Sequence, residues 1–406
     1  MSLSRLSWLS HPLLVLIGVL LIAGNLRAPI TGIAPLLELI QADLSLSSTQ
    51  AGLLTAMPLF IFAVISLLAS SMARVVGLSR SLFIASVLIA VGVVVRILGG
   101  TTELFAGIGL LAIGIALGNV LLPSLVKRHF PMRISFVTSL YVLFMGLVAA
   151  FNSALAVPMA EWTGQSWRWS SLIVVGVMAL ASVVVWATQL GADRRAAQNT
   201  PAGAANSSSV WRLPLAWYIT LYMGLNSVAY YMIASWLPVM LVNYGFEPDH
   251  AGQIHGLMQL ATAVPALLLM PVLSRVHDQR AVALAGALLQ TLTFVGFLVL
   301  PSWSLLWAVL FGFGSGSVFL IALALIGVRS TSTSQAASLS GMAQCMGYLL
   351  AAFGPPAMGG LHDLFNSWGW ALGLCILVSF GMGYAGWLAA CPAVASKASA
   401  ELVKAS

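Results

Sequence analysis

Charge is what this sequence has least of. Asp, Glu, Lys and Arg together make up 7% of its 406 residues, and only ten of those are acidic. Soluble proteins carry about 25% charged residues, and a chain that is 60% hydrophobic cannot face water on all sides. A soluble globular protein is excluded, and an integral membrane protein remains. Cysteine is nearly as scarce. Cys345, Cys375 and Cys391 lie in or beside late apolar runs, with neither metal spacing nor a disulfide framework. No G-x-x-x-x-G-K-[ST] loop is present, which excludes a primary ATP-driven pump on this chain. The six histidines are scattered, mostly at span ends or in loops, so no metal and no cofactor is expected. The first apolar run lacks a small-residue cleavage site and reads as a retained helix.

What is there is apolar and long. A helix needs roughly 20 apolar residues to cross the hydrocarbon core. That rule predicts an all-α integral membrane protein with twelve spans, near 12–36, 48–70, 81–99, 104–126, 135–157, 169–190, 213–240, 250–273, 281–299, 303–326, 335–358 and 369–390. The net charge of +7 comes from basic residues set singly or in short groups between spans, the pattern of cytoplasmic membrane loops and not of a nucleic-acid surface. Arg5, Arg74, Arg80, Lys127, Arg128, Arg133, Arg194, Arg195, Arg212, Arg275, Arg280, Arg329, Lys397 and Lys404 fall at the termini or in even-numbered loops. Arg96 and Arg168 stand on the other side, with most of the acids. Both termini are therefore expected in the cytoplasm, with the chain in a bacterial inner membrane.

Residues 191–212 are small, polar and rich in Ala, Ser and Gly, a flexible linker by composition. They divide the chain into a bundle at 1–190 and a bundle at 213–406. Four matches at an offset near 200 residues relate the two: Ser166-Trp167-Arg168-Trp169 with Ser367-Trp368-Gly369-Trp370, Ala149-Ala150-Phe151 with Ala351-Ala352-Phe353, Arg74-Val75 and Arg80 with Arg275-Val276 and Arg280, and Gly114 and Gly118 with Gly312 and Gly316. Duplication predicts two pseudo-symmetric six-helix bundles, an arrangement of transporters that bind solute near the midplane.

Polar residues inside the spans are the candidate site. Arg27 is the only formal charge between His11 and Leu37, and no Asp or Glu lies well inside any span. A charge at the bilayer centre costs about 2.5–3.5 kcal/mol on insertion scales. Two readings stand: the side chain snorkels to the outer interface, or its planar fork receives an anion or a pair of electron-rich oxygens. Pro29 and Pro35 suit a bent helix that faces a cavity. Tyr141 and Asn152 are eleven apart, about three helical turns, and share a face. Asn226 and Tyr230, then His255 and Gln259, are i, i+4 pairs, and Ser340, Gln344 and Tyr348 form a stripe. Each either lines a cavity or holds neighbouring helices together. Tyr231 and Trp236 are either stacking partners for a flat solute or packing residues. Asn119, beside Gly114 and Gly118, is expected to pack. His255 is the one histidine inside a span, where it either exchanges a proton or forms a neutral hydrogen bond.

Several segments resemble one family. LRAPITGIAPLL in the first span, GIALGNVLLPSLVKRHFP in the fourth, YYMIASWLP in the seventh, HGLMQLATAVP in the eighth and LSGMAQCMGYLLAAFGPPAMGGLHD in the eleventh are similar to the cyanate/nitroimidazole transporters (CynX/NimT) of the major facilitator superfamily, nearer its nitroimidazole branch. The resemblance covers both halves. It departs from the superfamily pattern at Arg74, where a loop acid is usual, and at His129, where an acid often follows Lys-Arg. The resemblance implies a secondary transporter, not an enzyme, working by alternating access on a small planar anionic or electron-rich solute. With no acid inside the spans, a proton serving as the coupling ion would have to ride on the solute or on His255, and a monomer is the expected working form. A broader-specificity exporter is the rival, but exporters of cations would want an intramembrane acid. A membrane sensor would need an output domain larger than 191–212.

Overall fold

The computed structural model describes residues 12–130, 132–164, 166–190, 207–269, 278–329 and 333–391. Among them there are helices and short 3-10 turns and no strand. Most of the predicted linker lies outside the described residues; its end, Ser207–Arg212, is a 3-10 turn. Arg5, Arg194, Arg195, Arg275, Lys397 and Lys404 also lie outside them, as does the side chain of Arg74.

The first predicted span is a broken run: α1 (Pro12–Asn25), α2 (Ala28–Thr31), a 3-10 turn (Ala34–Leu36) and α3 (Leu37–Leu44). Five long helices follow: α4 (Ser48–Val76), α5 (Leu78–Val95), α6 (Thr101–His129), α7 (Ile134–Trp162) and α8 (Trp167–Gln189). The second half opens with α9 (Pro214–Asn243). The eighth predicted span is split into α10 (Pro248–Ala261) and α11 (Val264–Leu268). Then come α12 (Arg280–Val299) and α13 (Ser304–Arg329). The eleventh span is split into α14 (Thr333–Ala351) and α15 (Gly354–Phe365), and α16 (Trp368–Ala390) ends the bundle.

Ten helical stretches among the described residues are long and apolar enough to cross a membrane. The two predicted spans missing from that set are the eighth and the eleventh: α10 has only 14 residues, and α14, at 19 residues, is interrupted by Ser and Gln. Pro265 and the Pro355-Pro356 pair lack the N–H that would continue the ladder, so the chain turns just before each. Lipid-facing sides are plain in the burial pattern. On α8, Val175, Ala179, Ser182 and Trp186 are buried while Val177, Leu180 and Val184 are more than half exposed. Water would not tolerate that outer face, but hydrocarbon does.

The described chain divides into two compact units. Unit 1 comprises Met1–Ser47, Met57–Ala202 and Glu247–Gly256; unit 2 comprises Ser48–Ala56, Gly203–Phe246 and Leu257–Ser406. Each is thus built mainly from one predicted half, plus a short helical piece from the other half.

In unit 1, α1 packs on α7 and α8, and α5 packs on α6 and α8. Small residues make these approaches close, which matters where lipid tails remove the hydrophobic drive between helices. A Cβ on Gly107 of α6 would lie 2.3 Å from the backbone nitrogen of Arg96, and one on Gly92 of α5 would lie 2.6 Å from the carbonyl of Gly107. Ser86 and Ser182 join α5 to α8 through a 2.9 Å hydrogen bond. In unit 2 the counterparts recur: α9 packs on α14, α15 and α16, and α12 packs on α13 and α16. Thr291 and Ser379 join α12 to α16 at 2.8 Å.

The repeated tryptophans make matching bonds. Trp167 Nε1 donates to Asp43 at 2.9 Å, and Trp368 Nε1 donates to Asn243 at 2.9 Å. In each unit the last long helix is fastened by this bond to the end of that unit's first helical run.

Candidate substrate-binding region

The predicted site residues fall in both units. Arg27, Tyr141, Asn152 and His255 belong to unit 1; Asn226, Tyr230, Gln259, Gln344 and Tyr348 belong to unit 2.

In unit 1 the centre is the break between α1 and α2. Proline has no N–H, so Pro29 cannot supply the donor that the carbonyl of Asn25 would meet in a continuing helix. The helix stops at Asn25 and restarts with Pro29 in its first turn. Arg27 occupies the N-cap position of α2, half-buried. Its carbonyl accepts from the nitrogens of Ile30 and Thr31, each at 3.1 Å, and from Thr31 Oγ1 at 3.2 Å. The turn is therefore closed on the backbone of Arg27.

Two carbonyls of α2 are taken by side chains from other helices. Asn152 on α7 donates its amide to Ala28 O at 2.9 Å. Arg96, capping the end of α5, donates to Pro29 O at 2.8 Å and to Ser171 O at the start of α8 at 2.9 Å. Pro29 O needs an outside donor because Ile33 N bonds Ile30 O instead. The space is tight, for a Cβ on Gly32 would lie 1.9 Å from the amide nitrogen of Asn152. Asn152 is buried and holds the break in shape. Tyr141, on the same helix, is half-buried and has no hydrogen-bond partner among the described residues.

Sequence reasoning placed Arg96 at a loop margin. The structure puts it at a helix end but buries it to 2% exposure. Only the two carbonyls serve it; its Nε is buried without a partner among the described residues. No periodicity signal marks such a residue, because a helix-end arginine usually reaches the interface. The other arginine of that side behaves as expected: Arg168 pairs with Asp43 and also donates to Gly99 O at 3.1 Å.

His255 is fully buried in unit 1, with Nδ1 2.5 Å from Ser153 Oγ on α7. The contact is permitted by Gly256, whose Cβ would otherwise stand 2.6 Å from the carbonyl of Ala150.

In unit 2 the polar residues pair among themselves. Gln290 on α12, fully buried and unflagged by sequence reasoning, donates its amide to Asn226 Oδ1 at 2.8 Å. Tyr230 donates its hydroxyl to Gln259 Oε1 at 2.6 Å. Gln344 donates to Ser340 Oγ at 3.1 Å along α14 and stays half-buried, as does Tyr348. Of the two aromatics considered for stacking, Trp236 is occupied: it is 2% exposed and donates to Pro355 O at 2.9 Å. It braces the split eleventh span. Tyr231 is half-buried, edge-on to Tyr230 at 5.0 Å.

Comparison with known proteins adds the family. A model described as Major Facilitator Superfamily matches residues 15–355. The 2-nitroimidazole transporter of Escherichia coli (strain K12) is 44% identical over 356 residues, covering 88% of this chain and 90% of that protein. The cyanate transport protein CynX of the same organism is 29% identical over 372 residues, covering 89% and 94%. Among solved structures, the crystal structure of a D-xylose-proton symporter shares the fold with a TM-score of 0.67 at 18% identity, covering 94% of this chain and 96% of that one.

Proposed function

The chain belongs to the Major Facilitator Superfamily, and we propose that the solute it moves is small, planar, and anionic or electron-rich, of the cyanate or nitroimidazole kind. It is a multi-pass membrane transporter; the relatives are transporters, which bears out the expectation of transport over catalysis. Identity of 44% against 29% agrees with a position nearer the nitroimidazole branch.

The observation that carries the solute class is the broken first helix. It sets a guanidinium at the N-cap of α2, on a turn whose carbonyls are clamped by Asn152 and Arg96. A planar two-donor fork suits paired oxygens or a carboxylate-like edge. Arg27 binds the charged or electron-rich edge. The other proposed solute contacts are Tyr141 in unit 1 and Asn226, Tyr230, Gln259, Gln344 and Tyr348 in unit 2; Asn152 holds the turn. The test is a thermal-shift screen of the purified protein with cyanate, 2-nitroimidazole and related small anions and azoles. Uptake or efflux of the hits is then measured in proteoliposomes. Stabilisation by organic cations but not by these solutes would replace this reading with that of a broader exporter.

The distribution of Lys and Arg supports cytoplasmic termini in a bacterial inner membrane. Thiols introduced at Asp43 and Glu247 of a cysteine-free protein are expected to react with an impermeant reagent from outside intact cells, and thiols at Lys127 and Ala205 to be protected. Outside labelling at 205 would reverse the orientation.

Protons are proposed as the coupling ion, carried by the solute or by His255. His255→Gln keeps a neutral hydrogen-bonding group for Ser153, so solute binding should persist. Transport by that variant is expected to lose its pH dependence if His255 is the carrier, since Gln cannot take up a proton, and to keep it if the solute is. Unchanged pH-driven accumulation would remove His255 from the mechanism.

A further inference from the structure

We propose that Arg96 supplies the uncompensated positive charge that draws an anion to the break in the first helix, so that Arg27 binds the solute and Arg96 sets its charge preference. The inference rests on Arg27 being the solute-binding residue and adds a second residue that never touches the solute.

Four observations carry it. Arg96 is 2% exposed, and an arginine side chain keeps its charge in a protein. Its partners are two neutral carbonyls, and no carboxylate among the described residues pairs with it. Arg168, by contrast, is neutralised by Asp43. One of the two carbonyls belongs to Pro29, two residues from Arg27 on the same short turn.

A plain structural staple does not need this charge. Any neutral donor of the right length could serve Pro29 O, and burying a guanidinium without a carboxylate is costly. The charge has a use if a negative solute completes the site. Inside a protein, at an effective dielectric near 20, a unit charge acts about four times as strongly as it would through water. Arg96 is therefore a positioning residue twice over: it shapes the turn by its hydrogen bond and biases the turn toward anions by its field.

The test reads the field without needing the substrate. Cys345, Cys375 and Cys391 are replaced by Ser, and Arg27→Cys places a thiol at the break. Its rates of modification by a sulfonate-bearing and by a trimethylammonium-bearing methanethiosulfonate are measured in proteoliposomes. Their ratio is divided by the ratio found for 2-mercaptoethanol. Changes in thiol accessibility or ionisation affect both rates and largely cancel, so a merely structural role would not move the ratio.

With Arg96 present, the anionic reagent is expected to be favoured about tenfold over the free-thiol ratio. Arg96→Gln should bring the ratio close to the free-thiol value, and Arg96→Lys should retain most of the preference. An equal preference with and without Arg96→Gln overturns the proposal. If Arg96→Gln does not fold, the comparison of the Arg96 protein with free thiol decides alone: no anion preference there overturns it. Failure of both reagents to reach the Arg27→Cys thiol from either side would instead overturn the reading of Arg27 itself, and this inference with it.

Discussion

Arg27→Ala is expected to reach the membrane folded and to bind solute about a hundredfold more weakly than the parent. Removing the guanidinium takes away a charge whose insertion costs about 2.5–3.5 kcal/mol, so the variant should still insert. The backbone of the break should survive too, since Ala28 and Pro29 carbonyls are held by Asn152 and Arg96 and not by the Arg27 side chain. What is lost is a pair of charge-assisted hydrogen bonds to the solute, each about 1.5–3 kcal/mol, and tenfold in affinity corresponds to about 1.4 kcal/mol. Arg27→Lys should restore little, because an ammonium cannot reproduce the planar fork. The measurement is affinity for a screened solute, by calorimetry or thermal shift, on protein shown to be monodisperse. If the side chain only snorkels, both variants bind almost normally and Lys is the better substitute. Near-normal affinity in Arg27→Ala would sink the anchor, and the α14 stripe of Ser340, Gln344 and Tyr348 would become the leading site.

Gly107→Ala is expected to be the most damaging single methyl in unit 1. Its Cβ would lie 2.3 Å from Arg96 N, 2.5 Å from Arg96 Cβ and 2.6 Å from Arg96 Cα. Two of those three atoms are backbone, so no side-chain rotation relieves the clash, and the end of α5 must move. Overpacking of this kind costs about 1–3 kcal/mol and sometimes more. Alanine is intrinsically the better helix former by roughly 0.8–1 kcal/mol, which offsets only part. The melting temperature in detergent should fall by at least about 5 °C. Solute affinity should fall with it, because moving α5 withdraws Arg96 from Pro29 O. Gly373→Ala on α16 is the control: a Cβ there meets nothing within 4 Å, so its melting temperature should be unchanged or slightly higher. Equal stability of the two variants would show that the α5–α6 crossing is looser than the geometry implies.

The spans were legible because the bilayer imposes a length and a composition on every crossing helix, and both are local properties. The duplication was legible for the same reason, as Trp167 and Trp368 stand in matching strings and make matching bonds. Pro29 and Pro35 announced that the first span would bend, but not that it would come apart into separate helices, and the breaks in the eighth and eleventh spans were not foreseen. Whether a freed carbonyl continues the helix or leaves it depends on the donor that reaches it. For Pro29 that donor is Arg96, 67 residues away in sequence.

By itself, then, the sequence determined the solvent, the number of halves, the family and the presence of a single formal charge, Arg27, in the first span, since hydropathy, repeats and formal charge need no neighbours. Only the tertiary structure decided which polar groups are already spent. Asn152 went to the backbone of α2, Trp236 to Pro355 O, and His255 to Ser153. It alone turned Arg96 from a loop-margin charge into a buried one. A side chain's helix periodicity says which face it occupies, but its burial and its partner come from the helix laid against that face. At Arg96 that helix is α6, brought close by Gly107.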